Sequence, residues 1–259
     1  MKKILALILC LMLCMSLFLV GCGDNEGGNG GNGGNAGGIS TLAGKTPEQL
    51  YAAAIETLKT VSSFECDSTQ KIVMSAQGQS MTMNQTIISK QNGHDVYVKT
   101  TNDMSPESEM EITYVDSMYY LIQNGQKIKK AISHDEMDAM IEEIYGGDMS
   151  SQTLLPLPEE SFNNIFFKQE GNSYTLTFIV EADYYTSVMQ NAGIAGATFT
   201  DDVEYVVYFD ADGNLEKIVA NFTFDVSGVK CDAVSTSIIT LGNVTITAPA
   251  DADSYREVA

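Results

Sequence analysis

Histidine and basic side chains are scarce in this chain. Only His94 and His134 occur in 259 residues, so imidazole-based acid/base chemistry and histidine-rich metal sites have almost nothing to work with. Lys and Arg number 14 against 34 Asp and Glu, for a formal charge of −20. A body this acidic repels phosphate at long range, which excludes nucleic acid as a partner. No G-x-S-x-G elbow, phosphate-binding loop or dinucleotide fingerprint occurs along the chain, so no residue is assigned a catalytic role and the chain reads as a non-enzyme. Two near misses are explained locally. The stretch "HDEMD", His134 to Asp138, lacks the second histidine of a metalloprotease helix and reads as a helix start with its acids at the positive end of the dipole. In "DADGN", Asp210 to Asn214, Gly213 stands fourth and Asn221 occupies the twelfth place. A calcium loop needs Gly sixth and Glu twelfth, so this is a hairpin turn. The adjacent acids Glu142 with Glu143 and Glu159 with Glu160 cannot share one face of a helix or strand. A hydrolytic site would therefore need an acid pair assembled across the fold. No metal and no dissociable cofactor is expected.

The five cysteines divide by position. Cys10 and Cys14 lie in the apolar run Ile4 to Val20, which follows Lys2 and Lys3 and ends at Gly21, the layout of a secretory signal peptide. No basic stop-transfer cluster follows it. Leu19, Val20, Gly21 and Cys22 resemble a bacterial lipobox, whose cysteine becomes the mature N-terminus. The resemblance implies a covalent diacylglycerol or acyl lipid on Cys22 and an extracytoplasmic protein anchored to the cell membrane. The competing readings are an ordinary signal peptide or an uncleaved anchor helix. From Gly23 to Gly38 the chain is almost entirely Gly and Asn and cannot bury enough surface to order itself. It predicts a flexible tether with a root-mean-square reach of roughly 20 to 24 Å. The expected organisation is a signal peptide over 1–21, a lipidated cysteine and tether over 22–45, and one folded domain over 46–259. A mature chain starting at Cys22 has 12 basic and 34 acidic residues, a charge of −22. Cys66 and Cys231 remain, and in an exported protein they can form one disulfide or stay as two buried thiols.

Within the folded part, "TPEQLYAAAIETLKTV" from Thr46 offers a cap residue, Pro47 in the first turn and Gln49 three residues after the cap, so a helix is predicted there. Leu50, Ala54, Leu58 and Val61 form its apolar stripe. The period then changes to two. In "FECDSTQKIVM", Phe64, Cys66, Ile72 and Met74 share one face while Glu65, Asp67, Thr69 and Lys71 share the other. Further strands are predicted at "SMTMNQTIIS", "DVYVKT", "MEITYV" and "SMYYLI", with turns at Gln91–Gly93 and Gln123–Gly125. Ser133 and Glu136 form a second capping box for a helix whose stripe is Met137, Met140, Ile141, Ile144 and Tyr145. Strands resume at "NIFFKQ" and "SYTLTFIVE", a short helix covers "ADYYTSVMQNAG", and "VEYVVYF", "LEKIVANFTFDV", "VKCDAVSTSIITL" and "VTITA" follow. About ten strands with three helical segments predict an α+β fold, a single large curved antiparallel sheet covered by a few helices. Such a sheet, with few helices over its apolar face, leaves a hollow or groove.

Three stretches resemble the LolA/LppX-like bacterial lipoprotein superfamily, whose members form an unclosed half-barrel with helices over its mouth: "AAAIETLKTVSSFECDSTQKI", "YVDSMYYLIQNGQKIKK" and "VEYVVYFDADGNLEKIVANFTF". The resemblance spans about Thr46 to Thr247. It implies binding of an acyl chain or other hydrophobic ligand in the hollow, for transfer or sensing at the membrane. The ligand-contact candidates rest on local reasoning: Met81 and Met83 on the sheet, and Met137, Met140, Ile141 and Ile144 on the covering helix. Methionine's flexible thioether suits varied apolar shapes, though a Met-rich stripe also serves as plain core. The alternative function is a non-catalytic envelope protein that presents an acidic surface to a protein or wall partner.

Overall fold

The computed structural model describes residues 46, 49–50, 52, 61–105, 109–145, 162–170, 173–191, 196–210 and 214–258. The first capping box forms as its spacing requires. The Thr46 N–H donates to Gln49 Oε1 at 3.0 Å and the Gln49 N–H donates to Thr46 Oγ1 at 3.3 Å. Gln49, Leu50 and Ala52 are helical and Leu50 is buried. The rest of this predicted helix, with Pro47, Ala54 and Leu58, lies outside the described residues, as do the signal peptide, Cys22 and the tether.

Thirteen strands form one sheet. In chain order they are β1 (Ser63–Ala76), β2 (Gln79–Asn92), β3 (Asp95–Asn102), β4 (Met110–Val115), β5 (Met118–Gln123), β6 (Gln126–Ala131), β7 (Phe162–Glu170), β8 (Ser173–Val180), β9 (Ala197–Phe199), β10 (Val203–Phe209), β11 (Leu215–Val226), β12 (Val229–Leu241) and β13 (Arg256–Glu257). Helix α1 (His134–Tyr145) separates β6 from β7, and α2 (Ala182–Asn191) separates β8 from β9. Across the sheet the order is β13-β6-β5-β4-β3-β2-β1-β12-β11-β10-β8-β7, with β9 on β11. β1 to β6 thus form one antiparallel meander and β7, β8, β10, β11 and β12 a second, joined where β1 pairs β12, while β13 lies parallel to β6 at the far edge. The ends, β13 and β7, do not meet, so the curved sheet is an open half-barrel.

Tight turns set the registers of the meanders. Gln77–Gly78, Asp116–Ser117, Asn124–Gly125 and Ser227–Gly228 each place two successive residues at positive φ. That is the geometry of a two-residue hairpin whose twist matches its strands. Because β1 alternates cleanly, Asp67 and Lys71 stay exposed while Phe64, Cys66, Ile72 and Met74 are buried. The face bearing these four is here called the inner face.

Two apolar clusters lie on the inner face. The larger draws Phe64, Ile72 and Met83 together with Leu176, Phe178, Tyr205 and Phe224 of the second meander. The smaller joins Ile87, Val96, Val98 and Tyr114 to Ile132 and Met137 at the start of α1. A third cluster, on the outer face, contains Val115, Tyr120, Val244, Ile246 and Tyr255.

Three strands escape the sequence pattern, and one predicted strand is not a strand. β6, "QKIKKA", has no apolar alternation, while β9 and β13 have three and two residues. "VTITA" does alternate, with Val244 and Ile246 buried and Thr245 exposed, yet it joins no ladder. Its apolar residues pack on the outer face of the sheet instead of extending an edge. An alternating pattern reports one buried side, and docking across a sheet face satisfies that as well as pairing does.

Candidate functional site

The inner face is built from strand alternation, and the cross-strand registers show which side chains meet on it. Gln70 of β1 lies opposite Gln85 of β2 and Ser235 of β12, and Gln85 lies opposite Asn102 of β3. Asn102, Gln85, Gln70 and Ser235 therefore form a polar row across four adjacent strands. All four are buried. Ser68 and Ser237 sit one pair further along β1 and β12, with their hydroxyl oxygens 2.7 Å apart. On β2 this belt separates Met83 of the larger cluster from Ile87 of the smaller, and on β1 and β12 it is flanked on both sides by residues of the larger cluster. Asn102 is satisfied in part by its own turn, since its Oδ1 accepts the Met104 N–H at 2.8 Å. Both polar atoms of the Gln85 amide and Gln70 Oε1 are buried without a hydrogen-bond partner.

Helix α1 sits at one side of this face. The N–H and hydroxyl of Ser133 donate to Glu136 Oε2 at 2.8 and 3.0 Å, and the Glu136 N–H donates to Ser133 Oγ at 3.2 Å. The Ser133 backbone N–H, followed by its hydroxyl, holds the Glu136 carboxyl below its ordinary pKa. The same end of the helix is fastened to the sheet. The Tyr114 hydroxyl and His134 Nδ1 are hydrogen-bonded at 2.9 Å, and the His134 ring stacks on His94 with centroids 4.6 Å apart. His94 Nδ1 lies 3.7 Å from Asp138 Oδ2. Thus the two histidines and "HDEMD" secure a helix.

Of the ligand-contact candidates whose side chains are described, those on β2 and those on α1 lie in different places. Met83 is buried in the larger cluster, and Met81, two residues nearer the β1–β2 turn, is 42% exposed. Met137 is buried in the smaller cluster and Met140 packs against it. Ile141 and Ile144 lie on α1, but their side chains fall outside the described residues. Gln85 stands between Met83 and Ile87 on β2, on the same face as both. The polar row was readable in principle: Ser68 and Gln70 are in phase with Phe64, Cys66, Ile72 and Met74, so strict alternation places them on the buried side. A search for apolar residues passes over them.

Cys66 and Cys231 are both buried free thiols, which corrects the disulfide alternative. Cys231 pairs with Met74, eight residues along β1 from Cys66, a separation of roughly 26 Å at the strand rise. A disulfide spans at most about 7 Å between Cα atoms. Burial pushes both thiols up, Cys66 despite a hydrogen bond to Ser68 and Cys231 to about 11. An aromatic disulfide reagent at neutral pH is therefore expected to label neither thiol in the native mature protein and both after denaturation. Fast labelling of the native state would contradict this placement.

At the "DADGN" turn, Asp210 Oδ1 and Oδ2 accept the Asn214 backbone N–H and Nδ2 at 2.8 Å each. The Asp210 carboxylate clasps its own hairpin. Among the described residues no three His, Cys, Asp or Glu side chains gather as metal donors, and no helix is long and apolar enough to cross a membrane. On the outer face, a groove of about 310 Å³ is lined by Glu65, Lys90, Tyr97 and Ile246 among others. The Glu65–Lys90 ion pair, at 2.7 Å, lies within it.

No protein-family model matches the chain, and no curated protein matches it. Among solved structures it is similar to LprF from Mycobacterium bovis, at 11% identity and a TM-score of 0.38, over 79% of this chain and 97% of that one. It is also similar to the lipoprotein LppX from Mycobacterium tuberculosis, at 8% identity and a TM-score of 0.36, over 76% of this chain and 96% of that one. A LolA superfamily protein from Nitrosomonas europaea is similar at 10% identity and a TM-score of 0.24, over 80% and 96% of the two chains. At these identities and TM-scores the likeness says nothing of what this chain binds.

Proposed function

We propose that this chain is a lipoprotein of a bacterial cell envelope, tethered through lipid on Cys22, whose curved sheet holds a hydrophobic, lipid-like ligand on its inner face for transfer or sensing. One observation carries the reading: a single open sheet places two separate apolar clusters on one face, and α1 lays Met137 and Met140 over the smaller of them. Displacement of this covering helix would admit an acyl chain between the clusters. The driving force is burial of apolar area, about 25 cal/mol per Å². The ligand-contact residues proposed are Met81 and Met83 on β2 and Met137, Met140, Ile141 and Ile144 on α1. Membrane attachment by lipid supplies proximity to the ligand's source, and the acidic body stays clear of anionic head groups.

Delipidated mature protein titrated with a fluorescent long-chain fatty acid tests the reading. Saturable binding at about micromolar Kd, near −8 kcal/mol, is expected. Fluorescence that rises linearly without saturation would contradict it.

A further inference from the structure

We propose that Gln70 and Gln85 form a polar subsite within the ligand-holding face, and that this subsite selects a neutral amphiphile whose uncharged group both donates and accepts hydrogen bonds, such as a carboxamide. The proposal rests on the inner face being a lipid-holding surface and adds the chemistry of what it holds. Gln70 is 4% exposed and Gln85 1% exposed, and they face each other across the β1–β2 pair. Gln85 has neither its amide oxygen nor its nitrogen partnered, and Gln70 has an unpartnered oxygen. Buried amides in folded proteins are nearly always satisfied, because leaving one unpaired carries the full desolvation penalty. Their neighbours in the belt follow that rule: Ser68 bonds Ser237 and Asn102 accepts from Met104. The unpartnered amide atoms of the row are thus concentrated at two side chains that touch the same point of the sheet.

The surroundings define the partner. Charged residues on these strands, Glu65, Asp67, Lys71 and Lys90, all alternate to the outer face. A carboxylate or phosphate at Gln85 would be buried with no counter-charge on β1 or β2, which is far more costly than burying a neutral group, so the carboxylate of a fatty-acid probe would stay outside the belt. A bare hydrocarbon would leave the amide atoms unpaired. A carboxamide offers the complementary donor and acceptor. On either side of Gln85 along β2, Met83 belongs to the larger apolar cluster and Ile87 to the smaller. The polar group of the ligand would sit at the belt, with its hydrocarbon on one or both clusters.

The test compares two uncharged ligands of equal chain length on the mature protein, by displacement of a bound fluorescent fatty acid. Oleamide carries donor and acceptor, whereas methyl oleate only accepts. Wild-type protein is expected to bind oleamide about tenfold more tightly. The double variant Gln70→Met/Gln85→Met is expected to lose or reverse that preference, while its ligand-free melting temperature stays at or above that of wild type. Equal or tighter binding of methyl oleate to wild type would overturn the proposal, as would a preference that survives in the double variant. A simple apolar pocket gives the first of these results, because oleamide is the harder of the two to remove from water. If the probe binds saturably but neither ligand displaces it, the lipid-holding reading stands and this proposal falls; if the probe itself does not bind, both fall. Should the double variant fail to fold, the wild-type comparison and the single variant Gln85→Met decide the matter.

Discussion

Cys22→Ser is expected to move the protein from the membrane pellet to the soluble fraction almost completely. Each buried CH₂ of a lipid anchor contributes about 0.8 kcal/mol, so one chain gives marginal attachment and two or more give stable attachment. No helix among the described residues is long and apolar enough to cross a membrane, and the net charge of −22 of a chain starting at Cys22 repels anionic lipid at long range. Fractionation of cells, with metabolic labelling by a fatty-acid analogue, checks both halves of the claim: wild type labels and pellets, and the variant does neither. A variant that still pellets would show that residues 4–20 act as an uncleaved anchor, and the lipobox assignment would then be wrong.

Phe178→Ala is expected to destabilise the domain by about 3 to 5 kcal/mol, the cost of deleting a fully buried aromatic ring. Phe178 of β8 is 0% exposed and stacks on Tyr205 of β10 with centroids 5.2 Å apart and ring planes 9° from parallel. Tyr205 is hydrogen-bonded through its hydroxyl to Tyr185 of α2, Tyr185 meets Phe199 at 5.2 Å, and Phe199 meets Phe224 at 5.5 Å. Removing the first ring leaves a cavity beside an aromatic chain that links four strands and a helix. It also disturbs a Tyr205 hydroxyl whose burial already pushes its pKa upward. Denaturant titration checks the size of the loss, and Phe178→Leu, which keeps most of the volume, should lose less. A loss below about 1 kcal/mol would mean that the larger cluster collapses around the gap and is far softer than the packing implies.

Where one face of a strand is buried and the other wet, the alternation in "FECDSTQKIVM" and "SYTLTFIVE" identifies strand and face together, because a strand's side-chain period is two. Capping boxes at Thr46–Gln49 and Ser133–Glu136 are equally local, since each satisfies orphan N–H groups within three residues. β6 and β13 are different. β13 lies on an edge supplied by distant chain, and "QKIKKA", though it follows β5 through the tight turn at Asn124–Gly125, carries no apolar alternation. The outer-face docking of Val244 and Ile246 is hidden for the same reason, as alternation cannot distinguish a ladder from a strap. The candidate site was legible only on its apolar side. Met83 and Met137 read as buried, while the Gln70–Gln85 pairing required the β1–β2 register. That register follows from the two-residue turn at Gln77–Gly78, whose sequence gives only a weak signal of its own.

Mass spectrometry of the mature protein, purified gently from membranes, tests the central claim most directly. The account predicts a non-covalent lipid bound one to one in addition to the lipid on Cys22. Extraction with organic solvent should remove it, and exposure to lipid vesicles should restore it. A protein that carries only its covalent lipid, and takes up nothing from vesicles, would contradict the claim that the inner face of the sheet holds a ligand.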